Sequence, residues 1–167
     1  MSLRTFILKF LPLVFVLFFV KGVLSQVIAL PLVDIYSALA LSSVPLLNLN
    51  LWAFISLALL GILRSFDGYY PYFIFSTYYI GLLLAWHHSK RIFQQEWRYY
   101  RAFFWSLSLL LLLLLEVLIF FKRLLLFNLT YLFWFDLITE SILYALVNLL
   151  FVYGLTLLLK RVLEVES

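Results

Sequence analysis

The sequence predicts an all-α integral membrane protein, a bundle of six transmembrane helices forming one domain over residues 1–167. Three observations carry the prediction. Hydrophobic residues make up 66% of the chain and charged residues only 12%, against roughly a quarter charged in an ordinary soluble domain. The apolar residues gather into six runs, and each crossing needs about 20 of them, so no soluble domain fits beside the spans. Residues 109–115 are leucine at every position, apolar on every face, whereas a barrel strand alternates apolar and polar over about ten residues.

The first span covers about 6–28, within "MSLRTFILKFLPLVFVLFFVKGVLSQVIAL". Its basic start resembles a secretory signal, but Lys21 follows the apolar stretch and no small-residue cleavage site does, so it reads as an uncleaved span. The second, 32–47, is "LVDIYSALALSSVPLL" and follows Pro31. Asp34 opens it, where a carboxylate stabilises the positive end of a helix dipole. "NLN" at 48–50 turns the chain into the third span, 51–66. Spans two and three are short, and fit either two crossings or one hairpin dipping into the bilayer.

The motif "DGYYP", Asp67 to Pro71, breaks the chain before span four, 72–86, because Gly68 permits turn dihedrals and proline has no N–H to donate. A basic loop, "HHSKRIFQQEWRYYR" at 87–101, leads to span five, 102–121; span six, 141–159, is closed by Lys160 and Arg161. Between them lies "KRLLLFNLTYLFWFDLITE", 122–140. Aromatic rings prefer the headgroup level, so this segment reads as an interfacial helix or re-entrant loop, with Tyr131, Trp134 and Phe135 as its candidate partner surface. Asn128-Leu129-Thr130 fits a glycosylation acceptor, a tripeptide that arises readily by chance.

Orientation follows the distribution of Lys and Arg. With six spans, one side holds Arg4, Lys9, Lys90, Arg91, Arg98, Arg101, Lys160 and Arg161, and the other holds Arg64, Lys122 and Arg123. Both termini are therefore expected in the cytoplasm. The net charge of +4 comes from these span ends and speaks to lipid headgroups rather than nucleic acid.

Several function classes are disfavoured. The chain has no cysteine, which excludes disulfides, thiolate metal sites and cysteine nucleophiles. No Ser-x-x-Lys, His-Glu-x-x-His or phosphate loop occurs, so neither an enzyme nor a cofactor is expected. His87 and His88 are sequence neighbours, which do not share a helix face, and a metal would need further ligands. Asn148, inside span six, reads as glue between helices.

Glu116 and Lys21 are charges set well inside their spans. At 1.5 Å per residue, Glu116 stands about 21 Å from the start of span five and Lys21 about 22 Å from the start of span one, on the same side. An unpaired charge in the bilayer costs about 2.5 to 3.5 kcal/mol, so charges at one depth are expected to pair. The alternative is that each snorkels separately to the interface. A proton relay is a third reading, but relays are built from chains of Asp, Glu and His, and here one acid stands without a ladder of polar residues.

The order of these features resembles the bacterial rod-shape-determining membrane protein MreD family. The likeness runs through a first span with a polar residue late in it, then "LPLVDIYSALALSSV", "LLGILRSFDGYYPYFIFSTYYIGLLLA" and "ILYALVNLLFVYGLTLLLKRV". Pro31 and Asp34 match that family's start of span two, and Gly61 and Gly68 its glycine-bearing end of span three and the glycine-marked turn into span four. Arg64 stands about where the family carries aspartate, with Asp67 three residues on. The resemblance implies a non-enzymatic scaffold of the cell-elongation machinery in the bacterial inner membrane. Its implied partners are an MreC-like single-span protein, the peptidoglycan polymerase and transpeptidase, the MreB cytoskeleton indirectly, and the lipid bilayer. That family is similar in fold to the substrate-binding subunits of energy-coupling-factor transporters, and so the alternative is a subunit for uptake of a small solute such as a vitamin.

Overall fold

The computed structural model describes residues 3–27, 34–68, 71, 73–92, 99–124 and 131–163, with the side chains of 24–27, 67–68, 91–92, 120–124, 131–137, 140 and 162–163 outside the description. Pro31, the Asn128 tripeptide and the side chains of Asp67, Tyr131, Trp134 and Phe135 therefore lie outside it. Six helices are present among the described residues. Helix α1 runs from Leu3–Thr5 through a wider π turn, Phe6–Phe10, into Leu11–Val27; α2 is Ile35–Ser43, ending in a 3₁₀ turn, Val44–Leu46. The others are α3, Leu51–Gly68; α4, Ile74–Ile92; α5, Tyr100–Leu124; and α6, Tyr131–Leu163.

The irregularities follow from sequence. Pro12 has no N–H for an α-helical bond, and one residue earlier Leu11 N–H reaches back to the Phe6 carbonyl, the longer loop of a π turn. Pro45 ends the regular part of α2 because it has no N–H to continue the helix's hydrogen bonds, and after the 3₁₀ turn the chain becomes extended at Leu47. Asn50 caps α3, its side chain accepting from Ala53 N–H at 2.9 Å.

Two boundaries depart from the sequence reading. Helix α4 continues through His87 and His88 to Ile92, where a basic loop was expected; no breaker occurs there, and Lys90 suits the negative end of a helix. Helix α6 begins at Tyr131 and runs unbroken for 33 residues, so most of the expected interfacial segment is the first turns of the last helix. No glycine or proline stands between Tyr131 and Tyr153 to interrupt it.

Helices spanning Leu3–Val23, Tyr100–Ile119 and Ser141–Arg161 are long and apolar enough to cross a membrane, and most of each stretch lies on the outside of the bundle. Phe15, Phe19, Leu110, Leu114, Leu118, Leu146 and Leu150 are among the large side chains exposed there. Water would penalise such a surface and lipid would not.

The interior is organised around α2. Every residue from Ile35 to Ser43 is buried, and the helix packs against α3, α4 and α6. At 12 residues with its 3₁₀ turn, it is only about 18 Å long, short of the roughly 30 Å hydrocarbon core. Its hydroxyls do not disturb the packing, since Ser42 and Ser43 donate to the Leu39 and Ala40 carbonyls at 2.9 Å. Helices α3 and α4 form the tightest pair. A methyl group on Gly61 would stand 2.2 Å from the backbone nitrogen of Ser76 and 2.4 Å from its Cα, so this close approach requires glycine. Ser76 Oγ closes the contact by donating to the Ala58 carbonyl at 2.9 Å.

Candidate functional site

Because α2 is short, its first turn opens inside the bundle rather than at its surface, and Asp34 comes with it. Asp34 is the N-cap of α2: its Oδ1 accepts from Ser37 N–H at 3.1 Å. It is also 4% exposed, and a carboxylate so deeply buried requires more than a cap. Around it the helices supply the rest. Arg64 on α3 donates from Nε to Asp34 Oδ2 at 2.6 Å and from a terminal nitrogen to Glu116 Oε1, on α5, at 2.7 Å. One planar guanidinium thus joins two carboxylates from different helices, a task suited to its rigid fork of donors. The guanidinium carbon of Arg64 lies over the Phe75 ring of α4, 5.2 Å from its centre, a cation–π contact.

Helix α6 closes the cluster. Tyr144 donates its hydroxyl to Asp34 Oδ2 at 3.2 Å, and Asn148 accepts from Asp34 N–H and donates to the Tyr144 carbonyl, both at 2.9 Å. Ser37 Oγ donates to Asp34 Oδ2 and lies 2.5 Å from the Tyr79 hydroxyl of α4. Since Ser37 spends its one proton on the carboxylate, Tyr79 is the donor of that second bond. Five helices, α2 to α6, therefore meet in one hydrogen-bonded network, and among the described residues no buried side-chain nitrogen or oxygen lacks a partner.

The expected partner of Glu116 was Lys21, and here the structure corrects the sequence reading. The guanidinium of Arg64 takes that place, while the Lys21 ammonium stands 4.6 Å from the ring centre of Tyr36 on α2. The reason is level and reach. Counting from Leu51, Arg64 stands about 20 Å along α3, the same depth that made Lys21 and Glu116 seem level. Arg64 can also hold Asp34 at the same time, which a lysine point charge does less well.

The expected absence of polar groups around Glu116 is corrected as well, since Asp34, Arg64, Tyr79 and Tyr144 all lie close enough to influence it or one another. Gly61 serves the contact of α3 with α4, one turn before Arg64. Asn148 joins helices as expected, through Asp34 N–H. Ser37, Tyr79 and Tyr144 were not foreseen: nothing in a chain with 11 tyrosines marks these two for the cluster. Among the described residues no three His, Cys, Asp or Glu side chains are grouped to hold a metal.

Compared with family models, the chain matches none, and comparisons with curated proteins and with solved structures find no significant match.

Proposed function

We propose that the chain is a non-enzymatic scaffold of the bacterial cell-elongation machinery, of the MreD type, held in the inner membrane with both termini cytoplasmic. The observation that supports this reading most is the self-sufficiency of the polar cluster. Its charges are engaged with one another, so they fix how α2, α3 and α5 sit together, the register-setting use of buried polar groups. That leaves the apolar outer faces of α1, α5 and α6 for lipid and for partner helices, as a scaffold requires. On this reading an MreC-like single-span protein docks on the aromatic segment around Tyr131, Trp134 and Phe135, and brings the chain to the peptidoglycan polymerase and transpeptidase and, indirectly, to MreB.

A specific observation favours a second reading, a substrate-binding subunit for small-solute uptake: polar side chains of five helices converge on one place, as a solute site would need. Copurification from native membranes separates the two. The scaffold reading expects cell-wall proteins, lost when Trp134 and Phe135 are changed to serine; recovery of a transport ATPase instead would establish the second.

A further inference from the structure

The two carboxylates that share Arg64 are held very unequally. Asp34 accepts from four donors, Ser37 N–H, Ser37 Oγ, Arg64 Nε and the Tyr144 hydroxyl. Glu116 accepts from one, the terminal nitrogen of Arg64, and its side chain is 17% exposed against 3% for Asp34. Neutralising Asp34 would weaken four bonds at once, whereas neutralising Glu116 weakens a single charge-assisted one.

Helix α5 is attached with the same asymmetry along its length. At its Tyr100 end it is pinned: Trp86 of α4 stacks on Tyr100 at 5.1 Å and meets Phe104 edge-on at 5.0 Å. Trp105 Nε1 donates to the Leu41 carbonyl of α2 at 3.2 Å, and Tyr78 of α4 donates to the Ser108 carbonyl. Beyond Ser108 the chain reads leucine seven times, then Glu116, then five more apolar residues before Lys122. Over that whole stretch the backbone is committed to its own helix, so Glu116 is the one side chain able to form a polar bond. Apolar contacts such as those of Leu109 and Leu112 guide this half of α5 but lack the direction of an ion pair.

We propose that the Arg64–Glu116 pair is a proton-operated latch. Uptake of one proton by Glu116 turns the charge-assisted bond into a weak neutral-acid contact, Arg64 stays with Asp34, and α5 swings outward about its pinned Tyr100–Ser108 end. Leu118 is ten residues beyond Ser108, a lever of about 15 Å, so a swing of about 10° moves it by about 3 Å. The charged and titratable groups facing Glu116 are Arg64 of α3, Asp34 at the start of α2, Tyr79 of α4 and Tyr144 of α6. From α1, Lys21 acts on Asp34. This inference is independent of which partner or solute the bundle serves.

The test is distance measurement between spin labels on the full chain in lipid nanodiscs. The protein has no cysteine of its own, so labels go only where cysteines are introduced. One pair, at Phe66 of α3 and Leu118 of α5, reads the latch; a second, at Leu84 of α4 and Phe103 of α5, reads the pinned end, and all four positions are exposed. As the pH is lowered from about 8 to about 4, through the ordinary carboxyl range, the first distance should lengthen by about 3 Å and the second stay fixed. Glu116→Gln should show the long distance at both pH values. A first distance that does not change with pH in the unsubstituted protein overturns the proposal, and so does a pH response that survives Glu116→Gln. The titration of the unsubstituted chain decides the matter even if the variant does not fold, and Glu116→Asp, which keeps a proton site, should retain the response.

Discussion

Replacing Arg64 with methionine keeps an unbranched apolar stem, shorter by the guanidinium end, and removes the charge that two carboxylates share. Two short charge-assisted bonds disappear, at 2.6 Å to Asp34 and 2.7 Å to Glu116; hydrogen bonds to charged groups contribute about 1.5 to 3 kcal/mol each. Asp34 keeps its three other donors, so the loss should fall near the usual cost of breaking a buried pair, about 3 to 5 kcal/mol. Glu116→Gln loses only one of the two bonds from a partly exposed group, and should cost about 1.5 to 3 kcal/mol. Reversible unfolding by a denaturing detergent, run as a double-mutant cycle on Arg64 and Glu116, measures the coupling directly. The structure predicts a coupling above about 1 kcal/mol for Arg64 with Glu116 and one within about 0.5 kcal/mol of zero for Lys21 with Glu116. The reverse ordering would refute the assignment of Arg64 as the partner.

Gly61→Ala should destabilise the bundle by about 1 to 3 kcal/mol through overpacking. A second change, Ser76→Gly, should not restore it, since the atoms in the way include Ser76 N and Cα at 2.2 and 2.4 Å; full recovery in the same unfolding assay would contradict the close approach of α3 to α4. Asn148→Leu leaves the N–H of Asp34 without its acceptor and should cost about 1 to 3 kcal/mol, the penalty for an unsatisfied buried donor. Cysteines placed singly at Ser2, Ser89 and Ser167 should resist an impermeant thiol reagent on intact cells if both termini and the end of α4 are cytoplasmic. Labelling at Ser89 alone would break the six-span arrangement.

Much of the fold is legible in the sequence because it is carried by composition and by breakers. The apolar runs fix where helices form, Pro45 and Asn50 separate α2 from α3, and Asn148 inside an apolar run announces a contact between helices. The helix ends were less legible where nothing stops a helix, as after Trp86 and before Ser141. At the site, Asp34 and Glu116 were identifiable from their positions in apolar runs, but Arg64 was counted as a flanking charge. The depth arithmetic that placed Lys21 level with Glu116 places Arg64 there too, so its role was within reach of the sequence. The parts of Tyr79, Tyr144 and Ser37 were not, because they depend on how helices rotate about their axes, and tyrosine is common on every face of this chain.

The central functional claim is most directly tested by depleting the protein from its own cells and measuring cell width during growth. The account predicts that rods widen and round up, and that the Trp134→Ser, Phe135→Ser variant fails to restore them although it reaches the membrane. Rods of unchanged width, with uptake of a small solute lost instead, would contradict it.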